Sequence, residues 1–198
     1  MIAVNSCGYP ISTKTHRSIL LNGAYDGDTT IKINWNPYEG WPVDEYNIDK
    51  SFNTDTSLSL YNFSKDTSFV VIKTLDGYRM CIRIAAYKAG TSVKNVVSWS
   101  NKVCIDFDPI LWIPNVFTPA NGDNLNNTFH IFLANYKTFQ VDIYNRWGEH
   151  IFSSNDPKKQ WDGTYKGAMC VEGVYLYQVK VGGANTNIYR NGTVNLLR

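Results

Sequence analysis

The period of its apolar residues limits what this chain can fold into. Apolar residues recur with a period of two in TIKINW (residues 30–35) and, less strictly, in 46–48, 68–72, MCIRIAA (80–86) and 102–107. That is the pattern of a strand with one face buried. The stretches are separated by Asp26-Gly27, Asn36-Pro37, Glu39-Gly40 and Asp76-Gly77, pairs whose backbone preferences favour turns. No stretch sustains the 3.6-residue repeat of an amphipathic helix. The 13 Tyr, 9 Phe and 6 Trp, with many Thr, Val and Ile, fit a pleated, half-buried surface. The sequence therefore predicts an all-β protein, and short strands at roughly ten-residue spacing predict a small sandwich.

A second strand series begins after Asp108-Pro109, where Pro114 and Pro119 bracket an extended lead-in. Phe139, Val141 and Ile143 alternate with polar neighbours in TFQVDIYNR, as do Tyr175, Tyr177, Val179 and Val181 in VYLYQVKV. Asn145-Arg146-Trp147-Gly148 reads as a tight turn joining TFQVDIY to HIFSS, since Gly148 takes positive φ at little steric cost. The 198 residues suffice for two domains, each with its own core. We expect one sandwich over residues 13–107, a link at 108–113 and a second sandwich over 114–198. The opening MIAVNSCGYPIS, residues 1–12, reads as a strand and a Cys-Gly turn. It is either the trailing edge of a preceding repeat or the first strand of the first sandwich, and the residues favour neither.

The net charge is +2, with 11 basic and 11 acidic residues up to Ile113 and 8 and 6 beyond it. Neither part carries the clustered Lys and Arg that displace counterions from nucleic acid, nor a basic amphipathic helix for a membrane surface. No apolar run nears the length that spans a bilayer, and the first residues lack the charged, apolar and small-residue order of a signal peptide. If the parent protein is exported, its leader lies upstream and this chain is the tail of something longer. No partner nucleic acid and no membrane insertion are expected, and the isolated chain is expected to be a monomer.

Four cysteines do not make a disulfide scaffold, but Cys81 and Cys104 lie in apparent strands near the two ends of a hairpin-like stretch. Two readings stand. A bridge in an oxidising compartment would stabilise by roughly 3 kcal/mol; otherwise they are two small buried thiols. Cys7 and Cys170 have no evident partners.

From Ile113 the chain reads IPNVFTPANGDNLNNTF, VDIYNRWGEHIF, WDGTYKG, EGVYLYQV and GTVNLLR. These blocks, in this order, resemble the gliding-motility-associated C-terminal domain, the type B sorting domain of the type IX secretion system of Bacteroidetes. The resemblance rests on Pro114, Asn115, Phe117, Thr118, Pro119, Gly122, Asp123, Tyr144, Asn145, Arg146, Trp147, Gly148, Trp161, Asp162, Gly163, Gly173, Tyr175, Gly192 and Thr193. It implies an immunoglobulin-like sandwich that a translocon at the outer membrane recognises, so that passenger domains upstream in the same polypeptide reach the cell surface or the medium. It implies no catalysis and no cofactor. The family's acidic turn reads roughly NGDGxND, whereas here Asn124 replaces a glycine, Asn127 replaces the second aspartate and Ala120 is an extra residue. Asp123 is the one carboxylate left, a poor candidate metal ligand when calcium wants several charged oxygens.

The upstream part resembles, more loosely, the fibronectin type III-like repeats that precede such modules. Trp35, WNPYEGWPVDEYNI, CIRIAAY and SWSNKVC carry that likeness; Ile82, Ile84 and Ala86 stand where a fibronectin repeat has Tyr-x-Val-x-Ala. The resemblance implies a structural spacer. The alternative is a surface adhesin or carbohydrate-binding module, delivered by the sorting domain. Its sharpest form is a sugar platform of Trp35, Tyr38 and Trp41 beside Glu39, set against the simpler reading of an aromatic loop packed on the sandwich. A further alternative places a hydrolase upstream as the passenger.

His16, His130 and His150 are not framed by sequence that would pair them with a nucleophile and an orienting carboxylate, and the cysteines and histidines lack zinc-ligand spacing. Trp147 and Trp161 both adjoin glycines in turn motifs, and both indoles are expected to cover the end of the second sandwich. The last strand, residues 191–198, ends on apolar residues that would fray unless paired into a sheet.

Overall fold

The computed structural model describes residues 3–4, 7, 10–11, 15–90, 96–123 and 125–198. Asn124, with the substitution read there, lies outside the described residues, as do most of residues 1–12. The chain divides into two compact units, Met1–Thr74 with Met80–Ile105, and Leu75–Arg79 with Asp106–Arg198.

In the first unit, β1 (Ala3–Val4) pairs antiparallel with β2 (Pro10–Ile11). Then follow β3 (Leu21–Tyr25), β4 (Thr30–Trp35), β5 (Val43–Phe52), β6 (Ser59–Ser64), β7 (Ser68–Ile72), β8 (Arg79–Lys88), β9 (Val97–Trp99) and β10 (Val103–Asp106). They form a three-stranded sheet, β3-β4-β7, and a larger one, β10-β8-β5-β6, with β9 paired to β8. The alternation in TIKINW directs Ile31, Ile33 and Trp35 inward. Tyr46 and Ile48 of β5 meet Ala86 and Ile84 of β8 in register, and all four are buried. The Trp35 and Tyr46 rings meet edge to face at 5.6 Å, an arrangement favoured by ring quadrupoles. That contact joins one sheet to the other, so the unit is a sandwich with its core between the sheets.

Cys81 of β8 and Cys104 of β10 are disulfide-bonded across neighbouring strands, 23 residues apart in sequence. Of the two readings of these cysteines, the bridge holds. Closing that loop restricts the unfolded chain, so Cys104→Ser is expected to lower stability by roughly 3 kcal/mol. Urea titration of the parent in oxidised and reduced form should show the same difference.

The second unit holds β11 (Ile110–Trp112), β12 (Val116–Phe117), β13 (Phe132–Ala134), β14 (Thr138–Tyr144), β15 (His150–Ser154), β16 (Thr164–Tyr165), β17 (Ala168–Met169), β18 (Gly173–Gly182) and β19 (Asn187–Leu196). The stretch 108–113, expected as a link, contains β11, which pairs antiparallel with β13. Three residues between prolines are too few to show a period, yet Leu111 and Ile113 pack against the core.

The main sheet runs β12-β19-β18-β14-β15. Phe139, Val141 and Ile143 of β14 face the core together with Tyr175, Val179 and Val181 of β18, as the alternation predicts. The last strand lies inside this sheet. β19 pairs antiparallel with β18 from Gly173↔Leu196 to Gly182↔Asn187 and parallel with β12 at Val116↔Asn195 and Phe117↔Leu196. Val194 and Leu196 are fully buried.

Candidate functional site

The sequence motif of the C-terminal unit separates into residues that build the sandwich and residues it displays. Phe117, Pro119, Trp161, Gly163 and Tyr175 are buried. Trp161, 1% exposed, packs its indole 5.1 Å from the Phe117 ring and 4.9 Å from the Tyr175 ring. Its Nε1–H donates to Thr164 O at 2.9 Å, and its backbone carbonyl accepts from Phe129 N at 2.8 Å. Asp162 is committed to the adjoining turn, where Oδ1 accepts from Thr164 N and Oγ1 at 2.9 and 2.7 Å.

Gly163 has φ +82°, and a Cβ there would come 3.0 Å from Leu196 Cδ1 and from Pro119 Cγ. Left-handed backbone costs a non-glycine residue about 1–2 kcal/mol even without a clash. Gly163→Ala is therefore expected to lose at least that much, seen as a lower denaturation midpoint with an unchanged slope.

Pro114, Thr118 and Gly192 are partly buried. Asn115 is exposed, but its carbonyl accepts from Asn195 N at 2.9 Å, tying β12 to the last strand. Thr118 N donates to Asn126 O. Gly192 lies opposite Tyr177, whose ring occupies the space a side chain there would need. Thr193 pairs with Leu176 on the outer face. Gly122 and Asp123 sit in an exposed loop, where Asp123 Oδ1 accepts from Leu125 N at 2.7 Å. Among the described residues, no group of three His, Cys, Asp or Glu is placed to hold a metal ion.

Tyr144, Asn145, Arg146, Trp147 and Gly148 belong to the β14–β15 hairpin. Asn145 Oδ1 accepts from Trp147 N and Glu149 N, both at 3.0 Å, and Gly148 N donates to Asn145 O at 2.9 Å. The asparagine side chain thus braces the turn from within, a role suited to its short amide. Gly148 takes φ +82°. The expectation that both tryptophans cover the sandwich holds for Trp161 and fails for Trp147, which is 86% exposed. A side chain two positions into a hairpin turn projects past the sheet, whereas Trp161 is drawn inward by its bridge to Phe129.

The space below this turn is a trough of about 340 Å³. Its walls include Arg146, Trp147, Met169, Val171, Val174 and Tyr175. Next to it Gly173 has φ +141°, and an added Cβ there would come 3.4 Å from Arg146 Nη2. Tyr175 donates to Val171 O at 2.6 Å. Burial pushes the Tyr175 phenol up, against the opposing pull of the Arg146 and Arg198 guanidinium groups. Burial likewise raises the Cys170 thiol. Sequence reading did not find this trough; its signal was the apolar residues of AMCVEGV, which fit neither strand period.

In the first unit, Tyr38 and Trp41 pack ring to ring at 4.4 Å and contact the exposed His16, whose Nδ1 shares a hydrogen bond with the Tyr38 hydroxyl at 2.5 Å. Trp35 is core. The aromatic loop is folded onto itself, as the packing reading had it. His150 Nε2 sits 3.0 Å from Asp142 Oδ1, and His130 meets Gln160.

The C-terminal unit is thus an all-β sandwich with an exposed aromatic-cationic corner. Residues 111–196 match the family model CHU_C, type IX secretion signal domain, and this part of the chain is such a domain. A domain of this family is a secretion signal, which implies export across the outer membrane to the cell surface or the extracellular space. No curated protein matches the chain. Solved structures similar to it include the FN1–FN3 domains of chicken CNTN1 (12% identity, TM-score 0.38, covering 90% of this chain and 65% of that one). A two-domain fibronectin type III segment of chicken tenascin shows 14% identity and TM-score 0.37, covering 91% and 99%. Dimeric latent PorU from Porphyromonas gingivalis shows 14% identity and TM-score 0.31, covering 92% and 20%. The chain thus spans under two thirds of the first of these.

Proposed function

We propose that this chain is the non-catalytic export tail of a larger surface or secreted polypeptide. In this reading the C-terminal sandwich is gripped by the type IX machinery at the outer membrane, and the first unit is a fibronectin-like spacer between it and the passenger. The observation that carries the reading is the family match over residues 111–196. The mechanism is recognition by shape and surface. Phe117, Pro119, Trp161, Gly163 and Tyr175 hold the sandwich closed, while Arg146 and Trp147 face the medium.

The position of β19 adds a device to this reading. β12 and β19 are parallel neighbours some 80 positions apart in the chain, so the sheet closes only when the last strand is available. Non-local pairings of this kind form late. A sorting module built this way becomes competent only as a finished unit.

An adhesin role finds less support, because the WNPYEGW aromatics pack against one another and His16 instead of forming an open platform. The experiment is deletion of residues 111–198 from a secreted reporter fused ahead of the full chain. Retention in the periplasm is expected, and continued appearance of the reporter outside the cell would refute the proposal.

A further inference from the structure

The export reading leaves open which part of the sandwich surface is read, and the trough beneath the β14–β15 turn supplies an answer. Four of its wall residues are large, apolar and open to solvent: Trp147, Val171 (71%), Val174 (50%) and Met169 (48%). Grouped around one trough instead of scattered singly over the surface, these side chains mark a candidate interaction surface. The turn that presents Trp147 is braced by Asn145, so the indole is held out by the fold.

The corner is also cationic. Among the described residues Arg146 makes no ion pair. Of the neighbouring acids, Glu149 accepts from Tyr165 and Asn145 and pairs with Lys166 at 3.6 Å, and Asp162 accepts from Thr164; Glu172, next to Val171, is exposed to solvent and does not line the trough. Arg198 donates to Cys170 O, and its guanidinium acts on Tyr175 together with that of Arg146. An apolar trough with guanidinium charge at its rim is complementary to an apolar side chain next to a carboxylate. Tryptophan and arginine are also the residues in which binding energy at protein interfaces concentrates.

We propose that this trough docks an extended segment of a partner protein, which inserts an apolar side chain against Trp147 and Met169 and sets a carboxylate on Arg146. The inference rests on the export reading and names the surface that the machinery reads. The volume of 340 Å³ lies near the low end of about 300–1,000 Å³ for ligand pockets, enough for one large side chain and its neighbours. A lipid headgroup surface is the poorer fit, since such recognition uses clusters of about 4–8 basic residues and the trough presents two.

The test uses the full chain fused behind a periplasmic reporter in cells with the type IX system, in the parental form and as Trp147→Ala, Arg146→Glu, Arg146→Lys and Tyr189→Ala. Tyr189 is exposed and outside the trough. Purified Trp147→Ala and Arg146→Glu should keep the parental urea midpoint, because surface changes of this kind move stability by only about 0.5 kcal/mol. The exported fraction should fall by about tenfold or more for both, equivalent to about 1.4 kcal/mol of binding. Arg146→Lys should recover part of the loss, and Tyr189→Ala should export like the parent. Folded Trp147→Ala and Arg146→Glu variants exported at parental levels would overturn the trough while leaving the export reading standing. A parental chain that stays in the periplasm of these cells would overturn the export reading, and the trough with it. Trp147-dependent flotation of the full chain with phosphatidylglycerol vesicles would also overturn the proposal, by making the corner a lipid face.

Discussion

Trp161→Ala is expected to cost the C-terminal unit about 3–5 kcal/mol, the range for removing a fully buried large aromatic. The indole touches Phe117 and Tyr175 and donates to Thr164 O. Its loss leaves a cavity at the meeting point of β12, the Phe129 bridge and β18. Small domains have roughly 5–15 kcal/mol of stability in all, so most of the margin is lost. Hydrogen exchange read on peptides from residues 111–196 of the full chain should show the loss as faster exchange across the whole unit. Trp147→Ala, at the exposed turn, should leave exchange unchanged to within about 0.5 kcal/mol. The reverse order of effects would mean that the two tryptophans have been assigned the wrong roles.

Removing residues 192–198 should do more. It deletes Val194 and Leu196 from the core, each comparable to a large-to-small core substitution of about 2–5 kcal/mol. It also takes from β12 its parallel partner and from Gly173–Tyr177 its antiparallel one. The combined loss matches the total stability of a small domain, so the unit should not fold. The expected result is loss of exchange protection across 111–191, while residues of the first unit, which has its own core and disulfide, keep theirs. Protection retained in β14 and β18 of the truncated chain would show that the last strand is an appendage.

The strands that were legible were those with a clean alternation or a short apolar run between turn residues. TIKINW and the stretch 68–72 match β4 and β7 residue for residue, and TFQVDIY is β14. β5 is longer than 46–48 because Asp44, Glu45, Asp49 and Lys50 interrupt its apolar pattern. Of these Asp49 is buried nonetheless, opposite Arg83, with its carboxyl raised by burial against the pull of that guanidinium. β11 and β12 are two or three residues beside prolines, too short for any period to register. The disulfide was open on sequence because spacing alone cannot say whether two strands are neighbours.

The displayed corner was half legible. Asn145 to Gly148 announced a turn, and the turn is there. What sequence could not separate was Trp147 from Trp161, since each adjoins a glycine in a turn. A hairpin tip and a strand bridge send such residues in opposite directions, and that distinction exists only once the strands are paired. The trough itself needed three elements distant in sequence: the turn, the β17–β18 connection and the start of β18.

The most direct test of the account is the fate of a reporter fused ahead of the full chain in otherwise identical cells with and without the type IX translocon. Reporter outside the cell only when the translocon is present is the predicted result. Equal amounts outside in both strains would contradict the assignment of the C-terminal sandwich as the export signal.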